Sequence, residues 1–314
     1  MNIIVTGGLG FIGTNLIDLI ISKGHQVLNI DKETYASNKH SFDSSSYKLE
    51  KGDLVDIDLL GIFEKFNPDG IIHCAAESHV DNSIINSMPF IESNIIGTYK
   101  LIEAVRLFNK DLRFLHMSTD EVYGSLDIDS PPFNEKTRYD PSSPYSSSKA
   151  SSDLIINAWQ RTYSMNTVIT NCSNNFGPWQ HKEKLIPKTI YSIQNNLPIE
   201  IYGNGKNIRD WIFVCDHCKY IYKIFMSDKK DENYNIGGLN EITNNDLIKK
   251  IILMINKETG GKFIFEDIVS YVEDRKGHDI RYAVEMKKTI NTFDNLLTNF
   301  DDNLKSTIKW HLKK

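Results

Sequence analysis

The chain alternates short apolar runs with amphipathic stretches, and turn-forming residues separate them. Asn2 to Thr6 is a β-branched run of strand length, and Thr14 to Lys23 follows with helical spacing. His25 to Ile30 and Tyr47 to Glu50 read as further strands, and Ile71 to Ala76 is an apolar run ending in small residues. Phe90 to Asn109 carries Ile95, Tyr99, Ile102 and Val105 three or four positions apart, the stripe of a long helix. Leu112 to Met117 returns to strand character, residues 144 to about 163 to helix, and Pro198 to Tyr202 to strand. Short continuous strands alternating with helices predict an α/β fold, a doubly wound parallel sheet of Rossmann type. Crossover helices cover both faces of such a sheet, so its strands need no polar side.

Three places in this pattern carry chemistry. The first is Gly7-Gly-Leu-Gly10-Phe-Ile-Gly13, between the first strand and the first helix. Glycines there allow a tight turn and close approach of backbone to a pyrophosphate, and the helix N-terminus faces that anion with free N–H groups. Asp31 ends the second strand, 18 residues beyond Gly13. A carboxylate at that place accepts ribose hydroxyls and repels a 2′-phosphate, which favours NAD over NADP, although Lys32 is adjacent. Asp53, after the third strand, is placed to flank an adenine. Ala75 and Ala76 let a dinucleotide lie against the backbone, and the polar loop Glu77 to Asp81 follows them.

The second place is Tyr145 and Lys149, four apart on a predicted helix and so on one face of it. An ammonium beside a phenol favours phenolate, and a bound nicotinamide cation adds to that effect, so the phenol can act as a base nearer neutrality. The third is Ser118-Thr119-Asp120-Glu121, just past the strand 112–117. Neighbouring carboxylates repel, so one can keep its proton while the other ionises. That combination serves an elimination of water. By themselves the two carboxylates are equally a solvated acidic turn.

Composition adds boundaries. The chain has 314 residues, 40% hydrophobic and 25% charged, with a net charge of −5. That length suits a large α/β domain with a smaller lobe, and the charge speaks against nucleic acid as a partner. No apolar run reaches spanning length and no cleavable leader is apparent, so a cytoplasmic protein without a membrane partner is expected. Four cysteines make no disulfide framework in a chain this long. Cys215 and Cys218 form a C-x-x-C at the start of a predicted helix, but no second pair completes a zinc site, so they are expected to be structural and no metal is expected. Serine-rich tracts stand at 41–46 and 142–152.

Taken together, Thr6 to Gly13, Asp31, Tyr145 and Lys149 resemble the extended short-chain dehydrogenase/reductase family. Within it the chain resembles the dTDP-glucose 4,6-dehydratases, on the stretches Asp31–Tyr35, Ala75–Asp81, Ser118–Gly124, Pro141–Asp153, Thr170–Pro178, Glu183–Pro187, Ile208–Trp211 and Gly277–Ala283. The resemblance implies an NAD-binding domain over mainly residues 1–172 and a sugar-nucleotide lobe over 173–314, with some chain crossing back. It implies catalytic roles for Thr119, Asp120, Glu121, Tyr145 and Lys149. Cofactor contacts are implied for Gly7, Gly10, Phe11, Ile12, Gly13, Asp31, Lys32, Thr34, Asp53, Leu54, Cys74, Ala75, Ala76, Ser78, Ser93 and Asn175, besides Tyr145 and Lys149. Substrate contacts are implied for Ser78, His79, Thr119, Asn174, Lys184, Leu185, Ile201, Tyr202, Arg209, Asn244, Arg275 and His278. Arg209 and Arg275 suit a diphosphate, because a guanidinium pairs bidentately with its oxygens.

The implied reaction oxidises the sugar at C4, eliminates water across C5 and C6, and returns hydride to C6. Relatives pair through two long helices, here about 90–109 and 144–163, so a homodimer is expected. The chain departs from the pattern at Asn82, where bacterial dTDP-sugar enzymes usually carry arginine, at Lys276, where proline is usual, and in a shorter 124–145 loop. These leave dTDP-glucose and UDP-glucose both open as substrate. A 4-epimerase would share NAD, Tyr145 and Lys149 but has no use for Asp120 and Glu121. A non-catalytic dinucleotide sensor has no need of Tyr145 or Lys149.

Overall fold

The computed structural model describes residues 1–42 and 45–313; Asp43 and Ser44 of the first serine-rich tract, and Lys314, lie outside it. Six strands come first: β1 (Asn2–Thr6), β2 (Gln26–Asp31), β3 (Tyr47–Lys51), β4 (Gly70–His73), β5 (Arg113–Thr119) and β6 (Thr167–Cys172). Six follow: β7 (Asn174–Phe176), β8 (Ile199–Tyr202), β9 (Ile208–Phe213), β10 (Glu232–Ile236), β11 (Glu241–Thr243) and β12 (Val269–Val272).

The main sheet runs β10-β6-β5-β4-β1-β2-β3, with every neighbouring pair parallel. Successive residues of β1 feed opposite cores, as strand geometry requires. Ile3 and Val5 join one apolar cluster with the helices Phe11–Ser22 and Val214–Met226. Ile4 joins the other, with Leu59–Phe66, Gly97–Asn109 and Pro144–Tyr163. The order in which strands are added reverses between β1 and β4, and ligands of doubly wound sheets bind at such a switch point.

A second core gathers Ile186, Ile190, Ile199, Ile201, Trp211, Leu247 and Ile251 with Leu304 and Ile308 of the C-terminal helix. It is covered by the three-stranded sheet β11-β9-β7 and the pair β12-β8. The chain crosses back to the first core twice, first with the helix Val214–Met226 and β10, which pairs with β6 in the main sheet, and again with the helix Lys287–Phe293.

Two details differ from the sequence pattern. The strand before the acidic triplet continues to Thr119, so Thr119 is strand and Asp120–Tyr123 a single 3-10 turn. The stripe at 90–109 contains a π-helical segment, Ile91–Ile96, ahead of the regular helix Gly97–Asn109. A π segment turns by more residues than the 3.6 period assumes, which hydrophobic spacing does not register. Ile102 and Val105 of that stripe are fully buried, whereas Tyr99 is 41% exposed. All four cysteines are free, and Cys218 is packed in the first core.

Candidate active site

The glycine loop is shaped by contact rather than by flexibility. Gly7 has φ +69°, and a Cβ there would lie 2.5 Å from the Cα of Ala75. A Cβ on Gly13 would lie 2.4 Å from the Gly7 carbonyl oxygen. The backbone of β1, the loop after β4 and the first helix therefore meet without side chains between them, leaving a cradle open to a phosphate. Asp31 serves the same loop. Its Oδ2 accepts the Leu9 N–H at 2.9 Å and its Oδ1 the Glu33 N–H at 2.8 Å, with lone pairs remaining for a diol. Lys32 donates to the Ser93 hydroxyl at 2.6 Å and lies 3.6 Å from Asp53 and 3.3 Å from Glu77. This lysine is thus tied to acidic neighbours at the edge of the cleft.

From this cradle one cavity of about 330 Å³ runs along the carboxyl ends of the strands to the acidic turn. Every residue named above as a cofactor contact lines it. The glycine cradle, the diol-accepting carboxylate and the small Ala75 and Ala76 fit NAD. Of the residues named for substrate, Ser78, His79, Thr119, Asn174 and Lys184 line the same cavity. Tyr35, Gln180 and His181 line it too, and the sequence reading missed them. Tyr35 lies between two polar turns and packs edge-on to His181 with ring centroids 5.6 Å apart, a contact across 146 positions that no local spacing signals.

The helix bearing Tyr145 is fixed at its start. Ser143 accepts the Ser146 N–H at 3.1 Å, the Ser146 hydroxyl accepts the Ser143 N–H at 3.0 Å, and Pro144 stands in the first turn. This reciprocal cap and an N-terminal proline set where the helix begins. They put Tyr145 and Lys149 on its buried face, both against the cavity. Lys149 donates to the Met117 carbonyl at 2.7 Å, which holds its ammonium under β5.

Thr119 closes β5 and caps the turn that follows, its hydroxyl accepting the Glu121 N–H at 3.3 Å. It also donates to Asp120 Oδ1 at 3.3 Å, while Asp120 Oδ2 is buried with no partner among the described residues. Burial first, and then the charges of Glu121 and Asp210, push Asp120 well above the usual carboxylate range. Glu121 is also raised by burial, but Arg275, Arg209 and Lys184 all act to hold it down. The two carboxyls therefore differ as an acid and a base should: Asp120 keeps its proton, and Glu121 faces three cations.

Tyr145 departs from the sequence expectation. Burial and the Glu121 charge push its phenol well above its ordinary value, and hydrogen bonding with Thr119 only partly opposes this. Lys149 itself is lowered, chiefly by burial.

The remaining substrate positions form a rim on the second lobe beyond the main cavity. Arg209 stacks on Tyr282 at 4.3 Å and donates to the carbonyls of Ile208 and Asp279 at 2.7 and 2.9 Å. Arg275 lies 3.7 Å from Asp81 of the first lobe, and the Tyr202 hydroxyl donates to the same carboxylate at 3.2 Å. His278 is 2.6 Å from Asp274 and packs edge-on to Tyr202. Asn244 begins the helix Asn244–Thr259, and Leu185 begins Leu185–Gln194. Ile201 needs correcting as a side-chain contact. Strand alternation turns it into the second core at 2% exposure, while Tyr202 beside it faces outward. Among the described residues no cluster of metal-ligating side chains is found, and no helix is long and apolar enough to cross a membrane.

Comparison with known proteins agrees with this geometry. Residues 4–294 match the family model of GDP-mannose 4,6 dehydratase. A dTDP-glucose 4,6-dehydratase of Haemophilus influenzae is 43% identical over 331 aligned positions, covering 99% of this chain and 98% of its own. DesIV, a dTDP-glucose 4,6-dehydratase of Streptomyces venezuelae solved with NAD bound, superposes with a TM-score of 0.91 at 35% identity, covering 100% and 97%. A UDP-glucose 4-epimerase of Thermus thermophilus has a TM-score of 0.90 at 21% identity, covering 99% of each chain, and shares the fold. The chain belongs to the GDP-mannose 4,6 dehydratase family of extended short-chain dehydrogenase/reductases, among its dTDP-glucose 4,6-dehydratases.

Proposed function

We propose that the protein converts dTDP-glucose to dTDP-4-keto-6-deoxyglucose and regenerates its NAD in each cycle. The observation that carries this reading is the unequal pair Asp120 and Glu121, held in one cavity with Tyr145 and Lys149. An epimerase has no use for that pair. Bound NAD supplies a hydride acceptor for C4, a hydride donor for C6 and, when oxidised, a positive charge beside the Tyr145 phenol. Tyr145 takes the proton of the C4 hydroxyl, and the Lys149 ammonium stabilises the phenolate. The 4-ketone acidifies the C5 proton, which Glu121 removes. Asp120 gives its proton to the C6 hydroxyl, which leaves as water. Glu121 then returns a proton to C5 as C6 is reduced, so the net change is loss of one water. Thr119 orients the sugar near O4.

Lys184, Arg209, Arg275 and His278 are assigned to the diphosphate, with Ser78, His79 and Asn174 along the sugar. Asn82 donates to the Tyr35 hydroxyl at 3.1 Å on the rim, and the base pocket is assigned to thymine on the similarity to dTDP-glucose enzymes. A substrate panel of dTDP-glucose against UDP-glucose, read by the 4-keto product in alkali, tests the whole reading. Formation of dTDP-galactose without keto product would sink it, and preference for UDP-glucose would move the base assignment alone.

The protein is further proposed to act in the cytoplasm as a homodimer. Tyr99 and Leu107 on one long helix, and Leu154 and Tyr163 on the other, are exposed apolar side chains on the two helices that pair in relatives. Light scattering on the purified protein decides this, and a monomer at micromolar concentration refutes it.

A further inference from the structure

Tyr145, Lys149 and Asp153 stand four residues apart on the helix Pro144–Tyr163 and share its buried face. The first two line the cavity; Asp153 lies behind them, fully out of solvent. Its Oδ2 accepts from the Ser118 hydroxyl at 2.8 Å, the Tyr139 phenol at 2.9 Å and the Asn171 amide at 3.4 Å. Its Oδ1 lies 3.2 Å from His116 Nε2, and that nitrogen lies 3.5 Å from Lys149 Nζ. His116 is also fully buried, and its Nδ1 has no partner. Asp153 Oδ1 makes no hydrogen bond to His116 or to any other described group, so its charge reaches its surroundings through space.

Among the described residues no carboxylate lies within salt-bridge distance of Lys149, whose other contact is the Met117 carbonyl. A buried ammonium without a counter-charge tends to give up its proton. We propose that Asp153, buried on the same helix face and acting through space past His116, is the counter-charge that keeps Lys149 an ammonium, and so is a positioning residue for the oxidation step. The inference rests on Tyr145 and Lys149 being the base and its activator.

Every ionisable group facing this pair can be assigned. From the end of β4 comes His73 and from the loop after it Cys74, from β5 His116, and from the end of β6 Cys172. From the 3-10 turn come Asp120, Glu121 and Tyr123, from the loop before the helix Tyr139, and from the helix itself Tyr145. His73 and His116 are pushed well below their ordinary value by burial and stay neutral. Cys74 and Cys172 are pushed up to about 12 and stay thiols. Tyr123 and Tyr139 are raised and stay phenols, Tyr145 is raised by burial and the Glu121 charge, and Asp120 keeps its proton. Glu121 faces the three cations of the rim. Asp153, raised to about 6, is thus the anion on the Lys149 side of the sheet at neutral pH.

The test is the pH profile of kcat/KM for dTDP-glucose in Asp153→Asn and Asp153→Ser holoenzyme, with NAD content and melting temperature checked first. Loss of the counter-charge should move the alkaline limb down by about one pH unit or more, as removal of a nearby opposite charge does. Asp153→Glu should restore it. The serine variant, smaller and still able to hydrogen-bond Ser118 and Tyr139, answers the question should the asparagine variant fail to fold. An alkaline limb at the wild-type position in a folded, NAD-loaded uncharged variant overturns the proposal, whatever the loss in rate. Wild-type protein that makes no keto product would instead refute the dehydratase reading, so the two failures are distinct.

Discussion

Asp120→Asn separates the two halves of the proposed reaction. Asp120 is 2% exposed, and its Oδ2 has no protein partner. An ionised oxygen there would be an uncompensated buried charge, so the proton resides on Oδ2, the one free atom able to donate it. Asparagine keeps the shape but cannot act as a general acid. Positioned proton transfer is worth roughly 100- to 10,000-fold in rate, so water loss should slow by about 3–5 kcal/mol of barrier. Oxidation at C4 uses Tyr145 and Lys149 and should proceed. Hydride taken from C4 then has no acceptor at C6, and bound NADH should accumulate in rapid-mixing absorbance while keto product stays near zero.

The same substitution carries a stability signature. An unfolded aspartate ionises near pH 4. The folded one titrates well above that, so unfolding releases a proton between the two values, and stability falls as pH rises through that window. Asparagine escapes this loss. The variant should therefore melt higher than the parent at neutral pH and equally with it below about pH 4. Absence of NADH together with absence of product, or a variant less stable at neutral pH and equally so at acid pH, would refute the assignment of Asp120 as the protonated acid.

Arg275→Gln removes a cation that holds Glu121 down, so the acid limb of the dehydration profile should move to higher pH; an unmoved limb would dissociate the rim from the base. Gly13→Ala should yield protein purified with little NAD, because its Cβ would press 2.4 Å from the Gly7 carbonyl; nucleotide content of the purified protein checks this. Ile201→Ala should cost about 2–5 kcal/mol in denaturant unfolding, the usual range for a truncated core isoleucine, and leave KM for the sugar nucleotide nearly unchanged.

What could be read from the sequence was local. The glycine loop, Asp31 and the Tyr145–Lys149 spacing are set by neighbours within one βα unit or one helical turn, and each stands where expected. What could not be read depends on packing between distant segments. The raised phenol of Tyr145 follows from its burial and the Glu121 charge, not from the four-residue spacing. Ile201 resembled a cleft residue in a strand-like run, yet the register of β8 on β12 decides which face it takes. Asp153 lay in plain view, four after Lys149. Only the strands β5 and β6 reveal why, by bringing His116, Ser118 and Asn171 to it.

The lobes contribute unequally to the two chemistries. The oxidation apparatus, from the glycine cradle to Tyr145, Lys149 and Asp153, is built within the first 153 residues. The dehydration apparatus is not. Asp120 and Glu121 come from the turn after β5, but the charges that set Glu121 apart from Asp120 belong to Lys184 and Arg275, with Arg209 acting on both carboxyls. These are the residues assigned to the diphosphate. A substrate that engages them draws their charge away from Glu121, which must then hold its own charge with less support and becomes the stronger base. Binding of the nucleotide diphosphate and readiness to remove the C5 proton are thereby joined in one set of cations.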